Sequence, residues 1–121
     1  MITLIDARNV LRSRWPNVPE EELVERIEEW ATAREAHALI VFDGRAPGGL
    51  RGEHVRSDAV TLVGTGGEEA DDWIVRRARA LAAEGTEYAL VTSDRAVRVA
   101  AGAAAVRSTG GGGFLTELGL R

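Results

Sequence analysis

Five short apolar runs, at residues 2–5, 38–42, 59–63, 88–91 and 103–106, are spaced along the chain with helical patterns between them. Continuous apolar character over four or five residues is what parallel strands buried on both faces require. The intervening stretches show helical periodicity. Pro19 suits the first turn of a long helix through EEELVERIEEWATARE, with Leu23, Ile27 and Trp30 or Ala31 on one stripe. Thr65-Gly-Gly-Glu68 reads as a capping box for a helix over 68–84 that Gly85 closes. Ser93 is placed to cap a helix from Asp94 to Ala101, and Gly110–Gly113 reads as a hinge before a short last helix, FLTEL. Alternating strands and helices predict a three-layer α/β fold with a central, mostly parallel sheet of about five strands, in a single domain over 1–121.

Composition narrows the chemistry. There is no cysteine, which removes disulfides, thiolate metal sites and cysteine nucleophiles, and His37 and His54 form no ligand spacing. No apolar run approaches membrane-spanning length. The start, MITLIDAR, lacks the basic opening and long apolar stretch of a signal peptide, so the reading is a cytoplasmic protein with no membrane partner. All fifteen basic residues are arginine, against a net charge of −4. Arginine forks onto phosphate oxygens and stacks on bases. Arg45, Arg51 and Arg56 share the segment Gly44–Asp58 with His54, so a negative chain can still present a basic rim, to which Arg95 adds.

Of six aspartates, five fall at element ends. Asp6, Asp43 and Asp94 follow the runs ITLI, ALIVF and YALVTS, and Asp71-Asp72 opens a helical pattern. Ligands of open α/β sheets bind outside the carboxyl ends of the strands. Clustered carboxylates there repel one another unless a cation offsets them, and oxygen ligands favour Mg²⁺ or Mn²⁺ over zinc. Such an ion would position a water, lower its pKa and polarise a phosphodiester oxygen. Helix phase separates the acidic pair: Asp71 lies near the inward stripe of Ala70, Ile74, Ala78 and Leu81, while Asp72 swings away. Competing readings remain for several of these residues. Asp71 and Asp72 suit a helix N-terminus, Asp94 suits a cap, and Asp43-Gly44 suits a turn. Asn9, one turn after Asp6, is placed to hydrogen-bond the loop or an Asp6 oxygen.

Other motifs are weaker. Val63-Gly-Thr-Gly-Gly67 lacks the third glycine of a dinucleotide fingerprint, with Glu69 in its place, and no lysine exists for a Walker A loop. An aspartyl phosphatase would need a second acid where Arg8 stands. Trp30 reads as core, Trp15 as packing over the sheet end, and Trp73 as packing or as a base-stacking surface beside the acidic pair.

DARN at 6–9, VFDG at 41–44, GTGGEEADDWI at 64–74, TSDR at 92–95 and GGFLTEL at 112–118 resemble, in this order, the NYN domains of the PIN-like nuclease superfamily. The likeness is to the YacP-like branch, which includes a ribosome-associated endoribonuclease. The resemblance implies a Rossmann-like PIN fold and a Mg²⁺- or Mn²⁺-dependent endoribonuclease. Metal-binding and catalytic positions would fall on Asp6, Asp71 and Asp94, with Asp43 and Asp72 supporting. Asn9, Ser93, Arg45, Arg51, Arg56 and Arg95 would meet substrate. The expected partner is RNA, with mRNA, ribosome-associated RNA and a homodimer all open. A non-catalytic RNA-binding module and the toxin of a toxin–antitoxin pair are the alternatives. The usual D-G-Y-N opening reads Asp6-Ala7-Arg8-Asn9 here, which puts an arginine at the rim of the site.

Overall fold

The computed structural model describes all 121 residues. Eleven elements follow in order: β1 (Ile2–Asp6), α1 (Ala7–Leu11), α2 (Glu20–Ala33), β2 (His37–Phe42), β3 (Gly52–Val55), β4 (Val60–Gly64), α3 (Ala70–Ala83), β5 (Tyr88–Val91), α4 (Arg95–Ala101), β6 (Arg107–Thr109) and α5 (Gly111–Glu117). They build one six-stranded sheet of order β3-β4-β2-β1-β5-β6. Every pairing is parallel except β3 with β4. No helix is long and apolar enough to cross a membrane.

The apolar runs become strands because both of their faces are covered. Along β1, Leu4 and Ile5 are each fully buried but belong to different cores, as side-chain alternation demands. Ile5, Ile40 and Leu62 pack beneath α2 and α5 with Leu23, Ile27, Phe114 and Leu115. Leu4, Leu39 and Val63 pack beneath α3 and α4 with Ile74, Leu81 and Val97. Each such side chain contributes roughly 1.5–3 kcal/mol by leaving water.

Several expectations from the sequence are corrected. The sheet has six strands, because Gly52–Val55 pairs with β4 inside the segment read as a basic loop. The last strand occupies 107–109 rather than the alanine run 103–106. Thr65 does not cap α3; its hydroxyl donates to the Glu68 carbonyl at 2.6 Å, and the helix begins at Ala70. Asp94, not Ser93, caps α4, accepting from Val97 N at 3.1 Å. The glycine run is not a hinge, since Gly111 to Gly113 form the first turn of α5. Gly111 permits α1 and α5 to meet: a Cβ there would overlap the Ser13 hydroxyl and lie 2.9 Å from Asn9 Oδ1.

The tryptophans divide. Trp30 is half-buried, edge-on to Phe114 at 5.1 Å, with its indole N–H donating to Glu117 at 3.1 Å. Trp73 is 6% exposed in the α3 core. Trp15 is 87% exposed, contrary to the packing expected for it.

Candidate functional site

Strand register brings the sequence-distant aspartates to one edge. Asp6 ends β1 opposite Val41 of β2, and Ile5 lies opposite Val91 of β5. Asp43 is therefore two residues past the level of Asp6 on one side, and Asp94 about two past it on the other. α3 starts from the loop after β4 and brings its first turn to the same place. The result is a cleft of about 280 Å³ lined by five carboxylates: Asp6, Asp43, Glu69, Asp71 and Asp94. Asn9, Arg8 and Arg12 complete the lining, and no apolar residue contributes.

Each carboxylate is held differently. Asp6, 5% exposed, caps α1 by accepting from Asn9 N at 3.3 Å and takes a second hydrogen bond from the Thr92 hydroxyl at 3.3 Å. Asp43 reaches across to α3, accepting from Ala70 N at 2.8 Å with one oxygen, while its other oxygen faces Arg8 at 3.4 Å. That contact replaces the side-chain cap α3 lacks. Asp94 commits only Oδ1 to its own helix, so capping and a place in the cleft are compatible. Asn9 Oδ1 accepts from Ser93 N at 2.8 Å, and Ser93 Oγ accepts from Gly111 N at 2.8 Å, which ties α1, the β5–α4 turn and α5 together.

The electrostatics follow from burial and crowding. Desolvation pushes the Asp6 carboxyl up from 3.8 to about 6, against the hydrogen bond from Asn9, and the charges of Asp71 and Asp43 push it further. Asp71 is also raised, first by burial and then by the charges of Asp94, Asp43, Glu69 and Asp72. As the side chains lie, no three acidic groups close on a single point. The donor set is nonetheless all oxygen, anionic and mutually repelled, which suits a hard divalent cation such as Mg²⁺ or Mn²⁺.

Thr92 joins the two strand-end aspartates. Fully buried, it donates to Asp6 Oδ2 and accepts from Asp94 N at 3.1 Å. Thr92→Val keeps the volume and strands both partners, so it should cost about 1–3 kcal/mol in urea unfolding. It should also move the Asp6 titration upward, because the Thr92 hydrogen bond holds that pKa down. An unchanged NMR titration of Asp6 would remove Thr92 from the site.

The remaining expected residues scatter. Asp72 is exposed and lies outside the cleft, in a neighbouring hollow with Arg76 and Arg79. Arg51 approaches Gly66 beyond β4, Arg45 donates to Gly49 O at 2.9 Å, and Arg95 is exposed beside Asp94. Arg56 lies at the far end of the β3–β4 ladder, within 3.6 Å of Glu21 and 3.4 Å of Glu28 on α2. Arg56 therefore lies away from this cleft, contrary to the phosphate contact expected for it. Glu69 and Arg12 are the lining residues that the sequence did not disclose. A larger, open hollow of about 1160 Å³ lies at the opposite end of the sheet. Its one histidine, His37, has both ring nitrogens engaged at 2.7 Å, by Asp58 O and Thr61 Oγ1.

The family model described as "YacP-like NYN domain" matches residues 4–112. Two crystal structures of Rae1 (YacP) from Bacillus subtilis, one of them a point mutant, superpose with TM-scores of 0.72 and 0.73. They are 21% and 19% identical to this chain, and the match covers 98% of it and 74% of each of theirs. At these identities the likeness is one of fold. No curated protein is a significant match.

Proposed function

Because the chain belongs to the YacP-like NYN domain family, whose fold is that of the PIN-like nucleases, we propose that it is a metal-dependent endoribonuclease. The observation that carries this reading is the convergence of five carboxylates at the ends of β1, β2 and β5 and the start of α3. Asp6, Asp71 and Asp94 would hold Mg²⁺ or Mn²⁺, which would supply charge to the scissile phosphate and acidify a water. Asp43 fixes the first turn of α3, and with it Asp71, relative to β2. Asn9 fixes the turn that carries Asp94. Asp72 adds negative charge behind Asp71. Arg45, Arg51 and Arg95, with Ser93, would meet the strand outside the cleft.

The test is incubation of the purified protein with a mixed RNA pool in Mn²⁺, Mg²⁺ or EDTA, beside Asp94→Asn. Asparagine caps a helix as well as aspartate does, so α4 should survive the change. Expected is cleavage that needs the metal and falls by at least about a hundredfold in the variant. Equal cleavage by parent and variant would remove Asp94 from the reaction. No cleavage by the parent in either metal would overturn the nuclease.

A further inference from the structure

Arg8 and Arg12 are four residues apart at α1, so they share one face, and they are the only cations lining the carboxylate cleft. Arg8 is 57% exposed and leans on Asp43 at 3.4 Å, a loose contact that a stronger anion can displace. The Arg12 guanidinium makes no hydrogen bond or ion pair, although five carboxylates line the same cleft. Neither arginine is committed to holding the fold. The cleft offers no aromatic or apolar surface for a base, since it has no apolar lining and Trp73 is buried in the core beneath α3. Its charged and polar lining suits phosphate and sugar. Trp15, three residues beyond Arg12, exposes 87% of its surface. Chain geometry keeps its Cα within about 11 Å of that of Arg12.

We propose that Arg8, Arg12 and Trp15 form a track for single-stranded RNA, with the two arginines on consecutive phosphates at the cleft and Trp15 stacked on an unpaired base of the same strand. The proposal rests on the nuclease reading and names the residues that would hold its substrate strand. A duplex keeps its bases stacked on one another and cannot offer one to Trp15, whereas a loop or a single strand can.

The track is tested by fluorescence anisotropy of a single-stranded RNA oligonucleotide and of its duplex, with Mg²⁺ present. The Asp94→Asn background keeps the RNA from being consumed. Arg8→Ala and Arg12→Ala should each flatten the slope of log affinity against log salt by about 0.7, the single-strand value per phosphate contact. Trp15→Ala should weaken single-strand binding about tenfold while Trp15→Phe restores most of it. Neither Trp15 variant should alter duplex binding. Arg34→Ala, on the far end of α2, should leave the salt slope unchanged. Single-strand binding with an unaltered slope in both arginine variants and unaltered affinity in Trp15→Ala would overturn the track and leave the nuclease standing. An RNA that the parent neither binds nor cleaves would overturn both.

Discussion

Replacing Asp6 by asparagine is expected to remove RNA cleavage and, in the same molecule, to stabilise the metal-free fold above neutral pH. The two effects have one origin. Burial raises the Asp6 carboxyl from 3.8 to about 6, so the folded chain holds that proton more tightly than the unfolded chain does. Stability from this group is fully present below the unfolded value of 3.8 and is lost as pH rises through about 6. At about 1.4 kcal/mol per pH unit, the ionised group costs the native state about 3 kcal/mol near pH 7. An asparagine side chain in its place carries no charge to desolvate and can still accept from Asn9 N. Part of the gain is offset because a hydrogen bond to a neutral amide is weaker than one to a carboxylate, and because the amide NH2 in place of Oδ2 no longer accepts from the buried Thr92 hydroxyl. A net stabilisation of about 1–2 kcal/mol at pH 7.5 in EDTA is expected, vanishing below pH 4. Activity should fall about 10²- to 10³-fold, the scale on which one directed polar group contributes at a catalytic centre. Thermal melts of both proteins across pH 4–8 decide the first half. Parallel curves would mean that Asp6 is not held in a desolvated state, and retained cleavage would mean that the reaction lies elsewhere.

The same burial explains what the sequence disclosed and what it hid. β1, β2, β4 and β5 were legible because both their faces are covered, so nearly every residue had to be apolar. β3 was invisible: all four of its residues are exposed, and backbone hydrogen bonds to β4 hold it without any apolar requirement on its side chains. The alanine run 103–106 misled for the opposite reason, since it is apolar yet forms a turn in which Val106 is 51% exposed. Asp6, Asp43 and Asp94 could be picked out because strand ends are legible, and Asp71 could be set apart from Asp72 by helix phase. Glu69 escaped because it precedes α3 by one residue, where no periodicity yet operates. Arg12 escaped because α1 is only five residues long, too short to announce itself, and without that helix its pairing with Arg8 has no meaning. The NYN resemblance read from DARN, VFDG, ADDWI and TSDR is borne out by the family match over 4–112.

Gly64→Ala should be the most damaging single methyl in the chain. Gly64 ends β4, opposite Phe42 of β2 and Gly52 of β3, and the segment 44–50 folds directly over it. A Cβ there would overlap the Leu50 carbonyl oxygen and sit 3.0 Å from both Ala46 N and Gly44 O. All three are backbone atoms, so no rotamer change relieves the clash. The segment cannot lift freely either: Ala46 N donates to Leu50 O at 2.9 Å and Gly66 N to Gly44 O at 2.8 Å, with Ala46 3% exposed. Overpacking alone costs about 1–3 kcal/mol, and the strained hydrogen bonds add about 1 kcal/mol each. A loss of at least about 3 kcal/mol, or roughly 10 °C in Tm, is expected. Gly67→Ala is the control, because a Cβ there meets nothing within 4 Å and the backbone is not left-handed. The damage should also reach the chemistry, since Gly44 follows Asp43, and Asp43 holds the first turn of α3 through Ala70 N. Asp6→Asn should therefore part stability from activity, while Gly64→Ala should lower both together. If Gly64→Ala melts with the parent, the strand end and its covering segment are not in contact, and that segment does not hold Asp43 in place.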